Sequence, residues 1–134
     1  MLKIERLIQS IPSERRHAWT LDGPRIDVAL RGGIRHQTVM IERLDHVYRL
    51  TSVVLGSRAV TKNAKRWNRL AILAWERNEH HQIVAFGFDR RDRLVGQIQH
   101  PADFLDPEEL ELYVNTLARE CDRFEYLLTG NDVF

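Results

Sequence analysis

The chain has 134 residues, a length that suits one domain with a substantial apolar core. Hydrophobic residues make up 43% and charged residues 29%, and only 7 Gly and 4 Pro occur, which is the balance of a folded chain rather than a disordered one. The formal net charge of +1 gives no global attraction to nucleic acid or to an anionic membrane. We therefore expect a single domain over residues 1–134.

The cysteine content and the first residues indicate a compartment. One cysteine, Cys121, cannot form an internal disulfide. Lys3, Glu5 and Arg6 interrupt the region where a signal peptide would need an unbroken apolar stretch. No apolar run approaches the roughly 18 residues of a membrane span. We expect a protein of the reducing cytoplasm.

The first half of the chain predicts a short helix followed by an antiparallel meander. Apolar residues recur at helical spacing before Pro12, and they are Ile4, Leu7, Ile8 and Ile11. Apolar and polar residues then alternate over 26–31, and Gly32 and Gly33 supply the turn of a tight hairpin to a second strand. A further alternating run, 47–56, predicts a third strand.

The second half predicts a helix, a hairpin and a long final helix. The first of these helices covers 61–78, with Thr61 as its cap and Asn78 as its end. Strands over 83–88 and 93–99 flank the turn "DRRD". Asp106 then caps a helix that continues to Gly130. The order of helix, three strands, helix, two strands and helix indicates an α+β fold in which helices pack on an antiparallel sheet.

That element order is similar to that of the small dimeric chaperones of type III secretion. The C-terminal half also resembles the YbjN family, in "LAILAWERN" at 70–78, "IVAFGFDRRDRLVGQIQHP" at 83–101 and "LDPEELELYVNTLARECDRFEYLLTGND" at 105–132. The resemblance implies the fold of type III secretion chaperones. It also implies a non-enzymatic, homodimeric, chaperone-like module that binds a client protein and is linked to stress responses in bacteria. It does not name the client.

Glu76, His80 and His81 are the residues that most resemble a metal site. Adjacent histidines at a helix end point to different sides, and a zinc site needs three or four converging ligands. A solvated helix end, with Trp75 anchored against the sheet, explains the segment better. Cys121 falls on an apolar helical stripe, which is typical of a buried small residue. We expect no catalytic residues, no metal and no cofactor.

A basic stripe begins the second predicted helix. Lys62, Lys65, Arg66 and Arg69 follow the spacing i, i+3, i+4, i+7, where the helix terminus already favours anions. Three interpretations remain open: a solvated face, pairing with protein carboxylates, or binding to nucleic-acid phosphates. The protein carboxylates can belong to the start of the last helix in the same chain, to a dimer mate or to a client. The stripe lacks interleaved aromatic residues, which makes direct nucleic-acid binding the lesser alternative to an acidic protein partner.

The same helix is apolar almost all round between Trp67 and Trp75. Such a helix must bury two faces. One face covers its own sheet, and a second subunit can cover the other, so we predict a homodimer interface that contains Trp67, Leu70, Leu73 and Ala74. The alternative is that the first and third helices cover this face within one chain.

Overall fold

In the computed structural model, which describes residues 3–80 and 83–129, all the described strands belong to one sheet. They are β1 (Trp19–Asp22), β2 (Arg25–Leu30), β3 (Arg35–Leu44), β4 (Val47–Leu55), β5 (Ala85–Phe88) and β6 (Leu94–Pro101). Their order across the sheet is β1-β2-β3-β4-β6-β5, and each neighbouring pair is antiparallel.

Four α-helices lie in the described part of the chain, α1 (Lys3–Ser10), α2 (Ser57–Val60), α3 (Ala64–His80) and α4 (Pro107–Thr129). The long helix α4 crosses β2, β3, β4 and β6, α1 packs on α4, and α3 lies along β5. Buried leucines from both layers, such as Leu50, Leu94 and Leu117, form the core between helices and sheet. The predicted α+β architecture, with helices packed on an antiparallel sheet, is confirmed.

The hairpin between β2 and β3 forms where the two glycines predicted it. β2 and β3 pair antiparallel up to Leu30 and Arg35, and Gly32 and Gly33 between them have φ of 70° and 90°. Those angles lie in the left-handed region that glycine adopts without strain.

The prediction of three strands before the second helix was wrong, because β1 was missed. Its four residues carry too little alternation to indicate a strand. The position of Trp19 depends instead on residues that are far from it in the sequence. It lies opposite Val28 in the sheet, and its Nε1–H donates to Asn115 Oδ1 on α4 at 2.9 Å.

The predicted bounds of the second helix were also wrong. Thr61 ends the short helix α2, where its hydroxyl donates to the Ser57 carbonyl at 2.8 Å. Asn63 caps α3 instead, because its Oδ1 accepts the N–H of Arg66 at 2.8 Å. The helix then continues past Asn78 to His80.

The last helix begins as its sequence predicted. Asp106 Oδ1 accepts the Glu109 N–H at 2.8 Å, and Glu109 Oε1 accepts the Asp106 N–H at 3.3 Å. This reciprocal pair is a capping box. Helix α4 is described as far as Thr129, so the predicted end at Gly130 lies outside the described residues.

Candidate partner-binding site

A groove of about 420 Å³ lies between α3 and α4, and we call it the helix groove. Apolar side chains from both helices form one part of its lining, namely Leu73, Phe124, Leu127 and Leu128. Charged or titratable side chains form the rest, namely Arg69, Glu76, Arg77 and His80. The groove therefore combines an apolar surface with a polar rim.

Helical spacing explains why these residues meet. On α3 the lining residues recur every three or four positions from Arg69 to His80, so they form one stripe. On α4 Phe124, Leu127 and Leu128 form a second stripe by the same rule. Leu127 remains 61% exposed, so part of the apolar lining of the groove is open to solvent.

The two arginines of the helix groove differ in how they are held. The Arg77 guanidinium lies 4.8 Å from the centroid of the Phe124 ring, and its Nη2 is 3.4 Å from Glu120 Oε2. Arg77 thus belongs to the structure of the groove wall. Arg69 has no ion-pair partner within residues 3–80 and 83–129. Its charge is available to an acidic group at the rim.

The four predicted basic residues do not form a single helical stripe. Lys62 precedes α3, which begins at Ala64. Lys65 is exposed, whereas burial lowers the pKa of Arg66. Of the four, only Arg69 lines the helix groove.

The predicted dimer residues lie in different environments. Leu70 and Ala74 are only 1% and 3% exposed, and they are buried in the core of their own chain. The Trp67 ring stacks on Phe88 with centroids 4.0 Å apart, and Leu73 lines the helix groove. Leu70 and Ala74 therefore offer no free surface for a second copy in this conformation.

Other side chains of α3 are exposed instead. Ile72 is 58% and Trp75 63% exposed, so the predicted anchoring of Trp75 against the sheet was wrong. Helix α3 is apolar on two sides, as predicted. The exposed apolar side contains Ile72 and Trp75 rather than Leu70 and Ala74.

Two of the three candidate metal ligands share one surface. Glu76 and His80 both line the helix groove, and His81 lies outside the described residues. In the part of the chain that the structure describes, no three His, Cys, Asp or Glu side chains are grouped so that they could hold a metal ion. None of the described helices is long and apolar enough to cross a membrane.

Cys121 is enclosed in the core. It is fully buried, and its Sγ lies 3.7 Å from the Ser52 carbonyl oxygen. Burial raises the pKa of the thiol to about 12. A thiol with that pKa, shielded from solvent, is not an effective nucleophile.

A second groove lies on the face of the sheet opposite α4, and we call it the sheet trough. Its volume is about 840 Å³, and its lining includes Arg90 and Arg91 from the turn between β5 and β6. The sequence pattern indicated this turn only as a connection between two strands. Two consecutive arginines in a short loop were the signal in the sequence, because loop side chains are commonly exposed to solvent.

No family model matches the chain, and no curated protein matches it. Solved structures do match. A chain of the ExsC–ExsE complex has a TM-score of 0.60 and 19% identity, over 94% of this chain and 93% of that chain. A chain of the HopA1–SchA chaperone–effector complex has a TM-score of 0.52 and 8% identity, over 93% and 98%.

A third match is weaker. The Yersinia pestis type III secretion chaperone SycH, in complex with a stable fragment of YscM2, gives a TM-score of 0.47 at 9% identity, over 89% of this chain and 97% of that chain. The comparison of folds rests on the first two structures, whose similarity extends over nearly the whole chain. The predicted fold of type III secretion chaperones is confirmed.

Proposed function

We propose that this chain is a non-catalytic, chaperone-like module that binds a client protein, and that the helix groove receives a segment of that client. The observation that carries the proposal is the exposed apolar side chain of Leu127 in the same groove as Leu73 and Arg69, whose charge has no ion-pair partner among the described residues. The fold supports it, because a similar fold occurs in a chaperone–effector complex.

The groove fits an amphipathic helical segment with acidic residues. Apolar side chains spaced along one face of a helix can lie against Leu73, Leu127 and Leu128. A carboxylate beside that face can pair with Arg69, which adds specificity more than affinity. The polar rim then remains in water, as it does in most transient interfaces.

The wider role belongs to the same proposal. We place the chain with the YbjN family, as a cytoplasmic homodimer that escorts or regulates its client in a bacterial stress response. The resemblance at 70–78, 83–101 and 105–132 supports the family and the stress-related role, and the exposed apolar side of α3 supports the homodimer.

Site-specific photo-crosslinking in the native cell tests the groove. A photoreactive phenylalanine analogue at Leu127 should crosslink to a defined protein, and Arg69→Glu should weaken that crosslink several-fold. The same analogue at Leu112, which is 52% exposed elsewhere on α4, is the matched control. Equal crosslinking from both positions, or none from Leu127, would refute the helix groove as the client site.

Nucleic-acid binding is the second candidate, because Lys65 and Arg69 have no ion-pair partners within the described ranges. Purification from the cell with and without nuclease separates the two functions. A partner that survives nuclease supports the protein client. Material that is lost with nuclease, together with an affinity that falls steeply with salt, supports the nucleic-acid function instead.

A further inference from the structure

The floor of the sheet trough is formed by small, polar or β-branched side chains of β4, β6 and β5. In the register of the sheet, Thr51, Gln97 and Ala85 form one row across β4, β6 and β5, and Val95 and Gly87 lie opposite each other in the next row. All five residues line the trough. Because Gly87 has no side chain and Ala85 only a methyl group, the floor is low along β5, while the loop residues rise beside it.

The charges around the trough are unbalanced. Four arginines and two carboxylates line it, namely Arg49, Arg90, Arg91, Arg93, Glu42 and Asp89. Arg93 pairs with Asp89 at 2.7 Å, and Arg49 lies 3.4 Å from Glu42. Arg90 and Arg91 are exposed and have no ion-pair partner among residues 3–80 and 83–129. An excess of two positive charges therefore stands at the rim.

The turn that carries these two arginines is firmly held. Asp89 Oδ1 accepts the N–H groups of Arg91 at 3.0 Å and Arg93 at 2.9 Å. Burial alone would raise the pKa of Asp89, but the hydrogen bonds from Arg93 and Arg91 outweigh it, so that pKa lies below its ordinary value. The carboxylate stays ionised and fixes the loop beside the trough.

We infer that the sheet trough is a second binding site, which takes an extended, acidic segment of a protein partner. Its carboxylates would pair with Arg90 and Arg91, and its backbone would lie over Ala85 and Gly87, within reach of the Gln97 and Thr51 side chains. Charge complementarity identifies the occupant.

Two features favour a peptide lying on the face of the sheet. The side chain of Asn78 already bonds both the N–H and the C=O of Phe86, which blocks strand addition at this point of the β5 edge. Phe88 is stacked on Trp67 and offers no free ring to a nucleobase, which disfavours a single-stranded nucleic acid. The inference deepens the proposed protein-binding function and rests on it, but it concerns a separate surface.

Fluorescence anisotropy with a synthetic probe tests the inference. The probe is a labelled peptide of alternating Glu and Ser, about ten residues long, which spans roughly 33 Å when extended. We expect saturable binding by the full chain, no binding of the matching Lys–Ser peptide, and a loss of about tenfold or more in Arg90→Glu/Arg91→Glu. Arg6→Glu/Arg58→Glu, at exposed positions outside the trough, makes the same change in net charge and should weaken binding less than about twofold.

A steric variant tests the position of the peptide independently of charge. A Cβ at residue 87 would meet nothing within 4 Å, so Gly87→Tyr should fold normally and place a ring across the trough. We expect it to weaken peptide binding about fivefold or more, with an unchanged thermal melt. Leu127→Asp, in the helix groove, should leave peptide binding unchanged.

The inference is overturned if no saturable binding occurs, if both double reversals weaken binding equally, or if Gly87→Tyr has no effect. It is also overturned if a thymidylate oligonucleotide of about ten nucleotides competes more strongly than the peptide, since the trough would then be a phosphate site. None of these results bears on the crosslink at Leu127, which tests the proposed function of the helix groove separately.

Discussion

At the scale of single residues, Gly96 sets how closely α4 approaches the sheet. A Cβ built at this position would lie 2.5 Å from Cys121 Sγ and 3.1 Å from Phe86 Cε1. Cys121 is enclosed by this contact and lies near the Ser52 carbonyl on β4. Because interiors are packed as densely as crystals, a single methyl group has no room here.

Gly96→Ala should therefore destabilise the fold by about 1–3 kcal/mol through overpacking. Urea denaturation would measure the change. Gly87→Ala is the matched control, because it lies on the open face of the same sheet with nothing within 4 Å of its Cβ, and it should be nearly neutral. The double variant Gly96→Ala/Cys121→Ala should recover part of the loss, since the shortest contact involves Sγ. Equal stability of the two glycine variants would contradict this account.

The Cys121 thiol gives a second prediction for a single residue. Its pKa is raised to about 12 by burial, so the folded protein should not react with a thiol reagent at pH 8. Unfolding in urea removes the burial, and labelling should then reach completion within minutes. Rapid labelling of the native protein would show that the helix α4 opens locally from the sheet.

At the scale of elements, Asn78 joins α3 to the edge strand β5. Its Nδ2–H donates to the Phe86 carbonyl at 2.9 Å, and its Oδ1 accepts the Phe86 N–H at 2.7 Å. One side-chain amide thus acts as a neighbouring strand would, and covers part of an edge that otherwise invites pairing with other chains. The asparagine that suggested the end of a helix serves to attach that helix to the sheet.

Asn78→Ala should cost about 1–3 kcal/mol, because it leaves both backbone groups of Phe86 without their partner. Hydrogen exchange of the Phe86 amide should accelerate more than that of the central strands. Asn68→Ala provides the control, since Asn68 is exposed on the same helix. If exchange at Phe86 is equally slow in both variants, Asn78 does not hold the edge.

At the scale of the whole molecule, the proposed homodimer depends on the exposed side of α3. Ile72 and Trp75 are available to a second copy, whereas Leu70 is buried, so Leu70→Asp should unfold the chain rather than separate subunits. The proposed dimer interface therefore contains Ile72 and Trp75, whereas helical periodicity alone had predicted Leu70 and Ala74.

Trp75→Asp should convert a dimer to a folded monomer, because it introduces an unpaired charge into an apolar contact. Sedimentation equilibrium measures the mass, and circular dichroism confirms the fold. Phe104→Asp is the control, since Phe104 is 76% exposed outside α3 and should not affect assembly. A Trp75→Asp dimer would place the interface elsewhere, and a monomeric parent protein would refute the dimer itself.

The sequence by itself determined the fold class, the glycine hairpin and the capped helix α4. These features follow from periodicity, turn residues and caps, which are local properties of the chain. Strand β1 depends on pairing with β2 and on the distant Asn115, so local pattern could not indicate it.

Only the tertiary structure decided which side chains share a surface. Arg69 was predicted to bind a partner, but its neighbours Leu127 and Leu128 come from α4, and helical periodicity cannot show which helices meet. In the same way, the pairing of β5 with β6 brings Gly87 opposite Val95 and places the loop arginines beside this floor. Periodicity determines the face on which a residue lies, whereas packing between distant segments determines whether that face is buried, paired or free to bind.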